Sequence, residues 1–505
     1  MSKKQIFNPY LPVHTYIPDG EPHVFGDRVY IFGSHDKEGG TTFCMLDYEV
    51  WSAPVNDLKN WTCHGISYHA WQDPGQNEKE KYMYAPDVVK GNDGRYYLYY
   101  AMAGGTFTGL IHVASSDYPE GPYEYYGILK TLDGKPYDRN ITFDPAVMND
   151  KGTIRLYYGW ALASPDASGI SREQRKAMAP MLLNLEMKMF DKTKEQIERE
   201  KDGIQGAFTV TLADDMLTVL TEPVKILPGQ LDAAGTEFQG HAFFEASSIR
   251  KIGSTYYFIY SSEVNHELCY ATSQFPDRNF KYGGVIISNG DIGFHGRKPE
   301  DRLAITGNNH GSIENINGNW YVFYHRHTHK SCYSRQGCAE KIELCEDGSI
   351  LQTEMTSCGL NGGPLETTGC YSAVIACNLT NGRMPHISQD RTEEAIPYIT
   401  EENGQCLIKD ICDQTKITYK YFNFTGDTKL NLKMQIQGEV LLNVYIGETK
   451  KSTIICNGLE NSLKIAEEWK RYSVEFKAYG TEALTFQFLG NGKAKLLELE
   501  FEQSM

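Results

Sequence analysis

Over the first two-thirds of the chain, apolar and polar residues follow one recurring pattern. Residues 243–262, FFEASSIRKIGSTYYFIYSS, show it in full: an acidic residue, a short β-branched run, a Gly turn, then an aromatic run. Close variants put aromatic runs behind five glycines: Gly26 (GDRVYIF), Gly94 (GRYYLYY), Gly152 (GTIRLYY), Gly253 (GSTYYFIY) and Gly318 (GNWYVFY). Runs of β-branched and aromatic residues on either side of a Gly turn predict β-hairpins. Successive glycines lie 68, 58, 101 and 65 residues apart. Hairpins recurring at such intervals predict a five-bladed β-propeller with one four-stranded blade per repeat.

Each hairpin is headed by an ionisable residue at a matched offset. Asp19 and Asp87 stand seven residues before their glycines, and Asp144, Glu245 and His310 stand eight before theirs. Each then opens the innermost strand of its blade, and the five converge on one funnel. A single acidic residue before a strand is an ordinary solvated turn residue; five at matched offsets indicate a site.

The 101-residue interval holds a charged stretch, MLLNLEMKMFDKTKEQIEREKD, without a Gly until Gly203. It reads as a short helix or long loop inserted between blades three and four, as a solvated decoration or a lid over the funnel. After about residue 365 the Gly-aromatic signature stops. Largely period-two strands follow at 416–422, 429–434, 440–445, 471–476 and 496–501. The expected organisation is a propeller over 1–365 and a jelly-roll-like β-sandwich over 366–505.

Composition narrows the partners. The net charge of −16 argues against nucleic acid or an anionic membrane. The 33 Tyr, 22 Phe and 6 Trp mainly serve strand packing, and a surplus suits a protein that stacks flat sugar faces. No apolar segment follows the N-terminal lysines and no run approaches a membrane span, so a cytoplasmic location is expected. The twelve cysteines form no CxxC pair, which predicts neither a zinc cluster nor a disulfide framework. Cys269 reads as buried, and His35, His325 and His327 as surface or hydrogen-bonding residues.

Carboxylates converging in a pocket suit hydrolysis of a glycosidic bond. Inversion needs a protonated acid at the leaving oxygen and an ionised base on a water, with the two carboxyls about 6.5–9.5 Å apart. A third carboxylate raises the acid's pKa by like-charge repulsion. Glu245 is the candidate acid, because Phe243 or Phe244 facing inward favours its neutral form. A calcium cage fits less well, because the Asp/Asn spacing of a binding loop is missing.

The order of Asp19 in PDGEPHVFGDRVY, Asp144 in ITFDPAVMND and Glu245 in FFEASSIRKIGSTYYFIYSS resembles the family 43 glycoside hydrolases. So do the APDV run at 85–88 and HGSI…GNWYVFYHR from His310. The resemblance spans roughly residues 7–345. It implies a five-bladed propeller that cleaves β-xylosides and α-L-arabinofuranosides with inversion. Asp19 would be the base, Asp144 the modulator and Glu245 the acid. Asp87, His310 and Arg326 match family positions near the sugar, with His310 beside a calcium or other ion in some members. No cofactor is implied as a requirement. One departure is that Asp19 is followed by Gly20-Glu21-Pro22 where the family has Asp-Pro, which leaves Glu21 as a competing base. Trp160 either floors the sugar site or plugs a blade interface. The C-terminal part resembles a family 6 carbohydrate-binding module, with Tyr419 and Tyr421 as stacking candidates against a core-packing alternative.

The resulting expectation is an inverting exo-glycosidase that removes xylosyl or arabinofuranosyl residues from short plant oligosaccharides. The oligomeric state is left open. The competing readings are a non-catalytic sugar-binding propeller and a propeller glycosidase acting on another sugar. The full carboxylate trio separates them, since binding alone needs no acid, base and modulator.

Overall fold

The computed structural model describes residues 5–78, 81–103, 109–163, 171–388, 390–458 and 468–502. Five antiparallel sheets succeed one another along the chain, each running from an inner strand outward. Their inner strands are Glu21–Phe25, Asp87–Lys90, Ala146–Asp150, Phe243–Ile252 and Ser312–Ile316. They form a five-bladed propeller. All five turn glycines have φ between +61° and +92°, a region where a Cβ is strained, which is why Gly recurs there. The aromatic second strands are buried, and Tyr99, Tyr157, Phe258 and Phe323 are fully inside. Flat rings between sheets supply much of the apolar area that holds neighbouring blades together.

Three details depart from the expected architecture, the first being a five-stranded second sheet, in which Tyr82–Met83 joins ahead of the inner strand Asp87–Lys90. The fifth blade has three strands, not four. The N-terminal segment runs along its outer edge instead, where the Tyr10 N–H donates to the Gly337 carbonyl. The Asn8 side chain takes the place of a strand residue there, donating to the Ala339 carbonyl and accepting from the Ala339 N–H, both at 3.0 Å.

The insertion lies inside blade three, between its second strand Thr153–Trp160 and its third strand Gly206–Leu212. Its first residues, 164–170, are outside the described set. Ser171 caps a helix over Arg172–Phe190 and Thr193 a short one over Lys194–Glu198, each through a capping box. The 101-residue interval is therefore a long connection within one blade.

Strands from 365 onward belong to one ten-stranded sheet. The two segments expected at 416–422 and 429–434 are parts of one strand, Lys416–Gln437, paired along its length with Lys470–Leu489 and over its second half with Lys493–Glu502. Leu430, Leu432, Met434 and Ile436 alternate inward from it. Lys420 ties this sheet to the propeller, with its ammonium 2.9 Å from Asp291 and 2.9 Å from Glu354. Of the two tyrosines considered for sugar stacking, Tyr419 offers no free face. Tyr419 is buried and donates to the Ala373 carbonyl, and the half-buried Tyr421 donates to Glu354. All twelve cysteines are free thiols, with Cys269 buried. Among the described residues no helix is long and apolar enough to cross a membrane.

Candidate active site

The start of each inner strand is brought to the propeller axis by the blade geometry itself: Asp19, Asp144 and His310 stand two residues before their strands, and Glu245 is the third residue of its own. Asp19, Asp144, Glu245 and His310 accordingly line one pocket, together with Phe43, Tyr84, Phe143, Phe244, Asn265, Asn308, Arg335 and Ser388. About 90 Å³ of it is open to the centres of water molecules. One water occupies roughly 10–15 Å³ on that measure, so the pocket has the size of a single sugar ring. Asp19 and Asp144 both have left-handed backbone, with φ of 58° and 44°. Such residues each cost about 1–3 kcal/mol and cluster at functional sites.

Asp19 is held as a carboxylate. Burial opposes its ionisation, but the Arg335 guanidinium at 2.8 Å and His325 at 3.1 Å outweigh it, keeping the pKa well below the usual range. Arg335 is itself fixed by a two-point ion pair with Asp36, at 2.8 and 3.1 Å, which aims its remaining nitrogen at Asp19. Glu245 is held as an acid. Burial first, and then the negative charge of Asp19, push its pKa up to about 8. The indole N–H of Trp160 donates to its carboxyl at 3.2 Å. Asp144 is also raised well above its ordinary value, by burial and by Glu245, and one of its oxygens accepts from the Ala246 N–H at 2.8 Å. Asp144 and Glu245 therefore retain a proton between them where Asp19 has lost its own.

Several expected positions fall elsewhere. Phe243 turns into the core between blades and Phe244 takes the pocket wall, because the inner strand shifts register between Phe243 and Glu245 and Ala246 is left-handed. Asp87 is not part of the pocket lining and has both oxygens engaged, by His23 at 2.6 Å and by the Val147 N–H at 2.6 Å. Arg326 points outward, giving its guanidinium to Gln336 and to the carbonyls of Val374 and Ala376. The arginine at the pocket is Arg335, which no motif marked. Glu21 is bound by Arg250 at 2.7 Å and by Ser248 at 2.9 Å, away from the pocket. Trp160 sits between the two readings given to it, touching Glu245 while packed in a wall of aromatics. His325, read as a surface or hydrogen-bonding residue, is buried and contacts Asp19. Ser388 comes from the segment after 365, so the C-terminal part contributes to the pocket wall.

The surroundings of His310 do not make a calcium cage. Among the described residues Asp144, at 3.6 Å, is the one carboxylate within ion-pair distance of it, and Asp144 is already bonded to backbone. Calcium takes six to eight oxygen ligands. Burial lowers the His310 pKa to about 4, so it is a neutral imidazole. The nearby group of Glu21, His23 and Asp87 already has a cation, Arg250.

Arg335 makes a direct test of this electrostatic arrangement. Arg335→Met is expected to cost about 3–5 kcal/mol in urea unfolding, because two buried carboxylates lose their cation. In the wild type the depressed pKa of Asp19 contributes stability above the unfolded carboxylate pKa, lost as pH falls through the folded value. In Arg335→Met that contribution disappears and the acid limb of the pH–rate profile moves up. An unchanged acid limb would show that Arg335 does not set the ionisation of Asp19.

Known proteins are similar to this chain in sequence. A sequence model of glycosyl hydrolases family 43 matches residues 11–205. A xylosidase/arabinosidase of Thermoclostridium stercorarium is 42% identical over 519 residues, covering 98% of this chain and 98% of the relative. A xylosidase/arabinosidase of Bacteroides ovatus is 29% identical over 368 residues, covering 68% of this chain and 97% of the relative. Among solved structures, a β-xylosidase/α-arabinofuranosidase from a compost metagenome, in complex with xylotriose and calcium-free, is 28% identical with a TM-score of 0.50. It covers 68% of this chain, and 96% of that structure is matched.

Proposed function

The chain belongs to family 43 of the glycosyl hydrolases, and from that premise we propose how its pocket works: it removes one terminal β-D-xylosyl or α-L-arabinofuranosyl residue from a short oligosaccharide, with inversion. The observation that carries the mechanism is the opposed ionisation of Asp19 and Glu245 across a pocket the size of one sugar. Two carboxyls whose surroundings push their pKa values apart divide the roles of base and acid. Asp19, ionised beside Arg335, accepts a proton from the attacking water. Glu245, neutral beside Phe244 and Trp160, gives its proton to the leaving oxygen. Asp144, 3.6 Å from His310, accepts from the Ala246 N–H next to Glu245 and so fixes the backbone that carries the acid. Phe43, Tyr84 and Phe244 supply apolar faces for the sugar ring.

No required cofactor enters this scheme and no step runs through an ion. If an ion sits near His310, that imidazole and solvent would hold it. The proposed division of the chain places the chemistry in residues 1–365. Residues 366–505 brace the propeller through Lys420 and extend the wall through Ser388.

The test is proton NMR of turnover with an aryl β-D-xyloside and an aryl α-L-arabinofuranoside, recording the first anomer released. Inverted product is expected, and the faster substrate identifies the pentose. Retained configuration, or no turnover of either, would sink the reading. The pH profile is a second check. kcat/KM should fall as pH rises through about 8, where Glu245 loses its proton. On the acid side it should hold to below the usual carboxylate range, since Asp19 stays ionised there. An alkaline limb at the pKa of an ordinary carboxyl would contradict the assignment of Glu245.

A further inference from the structure

The helix inserted in blade three turns one apolar stripe, separate from the Met178 and Leu182 side that meets Leu231, toward the pocket wall. Leu183, Met187 and Phe190 recur at the spacing of a single helical face and pack into a cluster with Phe143, Trp160 and Phe244, while Met181 on the same helix is 56% exposed. Phe143 and Phe244 are also walls of the catalytic pocket. The stripe ends at Phe190, which is 2% exposed and meets the Trp160 ring edge-on, with centroids 5.4 Å apart at 67°. Phe244 holds the same indole at 5.5 Å and 59°. Held between the two rings, the indole has its N–H directed to Glu245. The base of the insertion is anchored separately, where Gln205 accepts from the Leu162 N–H at 2.8 Å and donates to Glu186 of the helix at 2.7 Å. One continuous contact path thus runs from an added helix to the candidate proton donor.

We infer that Phe190 is a positioning residue for the reaction: packed against the indole of Trp160, it holds the Glu245 carboxyl in line with the leaving oxygen and keeps water from that side of the pocket. The inference rests on Glu245 as the proton donor. It assigns the insertion to the active site, where a solvated decoration would have no effect on the chemistry. The two neighbours act on Glu245 in opposite senses. Phe190 withholds water and so favours the neutral carboxyl, whereas the Trp160 N–H stabilises the ionised one.

The experiment compares Phe190→Ala, Phe190→Leu, Trp160→Phe and Glu245→Gln on an unactivated disaccharide and on a dinitrophenyl glycoside of the same sugar. Phe190→Ala should lower kcat on the disaccharide roughly tenfold to a hundredfold, the cost of about an ångström of misplacement. KM should change little, and the dinitrophenyl glycoside, whose leaving group needs no proton, should be nearly spared. Its alkaline limb should move to lower pH as water reaches Glu245, while Trp160→Phe moves the limb to higher pH. Phe190→Leu keeps apolar volume at the site, so it decides the matter if the alanine variant does not fold, and it should shift the limb in the same direction by less. Equal loss on both substrates with an unmoved limb would mean that Phe190 only stabilises the fold, and would overturn the inference. Glu245→Gln separates the two levels. If its alkaline limb persists, the proton-donor assignment itself fails. If its limb vanishes while the Phe190 variants leave theirs unmoved, only the positioning inference fails.

Discussion

Glu245→Gln is expected to lower kcat/KM on an unactivated disaccharide by about 10²–10⁴-fold, the usual contribution of a positioned general acid. On a dinitrophenyl glycoside the loss should be at most about tenfold, because that leaving group departs without a proton. The alkaline limb should disappear with the carboxyl that causes it. Gln keeps the shape of Glu and an oxygen that can accept from Trp160, so the fold and the pocket should survive. Rate measurements on the two substrates, side by side, are the check. Equal losses on both would mean that Glu245 does not protonate the leaving group.

Asp19→Asn should be as damaging, about 10²–10⁴-fold, but without regard to the leaving group, because the attacking water lacks its base in every case. Added azide, which needs no deprotonation, should restore turnover and give a glycosyl azide of inverted configuration. Retained configuration in that product would mean that a covalent glycosyl–enzyme intermediate forms without Asp19, and would overturn the inverting mechanism. Arg335 keeps its two-point pair with Asp36 in this variant, so the stability loss should be smaller than in Arg335→Met.

The periodic part of the molecule was plain in the sequence, because a strand-turn-strand unit needs Gly at a left-handed turn and aromatic residues between sheets. Both marks recur at Gly26, Gly94, Gly152, Gly253 and Gly318. Asp19, Asp144 and Glu245 shared that clarity, since an offset of seven or eight residues from the turn brings them to the axis, although Asp87 at the same offset stays outside the pocket lining. What escaped was whatever broke the period. A register shift beside Ala246 exchanges Phe243 for Phe244, and alternation alone predicts the wrong ring. Arg335 begins a third strand, outside the repeated unit, so its approach to Asp19 is a property of blade closure. The insertion was placed between blades because interval lengths do not reveal which connection has lengthened. For Tyr419 and Tyr421 the choice between stacking and core packing stays open in the sequence, because an alternating strand has the same residues whether a face meets solvent or a neighbouring layer; burial of Tyr419 decides it for that residue.

The ion pair between Asp19 and Arg335 also bears on how the protein is made. Its partners are 316 residues apart, near the two ends of the propeller. At roughly 5–20 residues per second on the ribosome, about 16–63 s separate the emergence of the two residues. Through that interval the nascent chain has Asp19 without the cation that fixes its charge, and a first blade without the neighbour that closes the ring. Catalytic competence therefore arrives late in synthesis, and a chain interrupted before residue 335 carries every proposed catalytic carboxylate yet lacks the arginine that holds the base in the closed pocket.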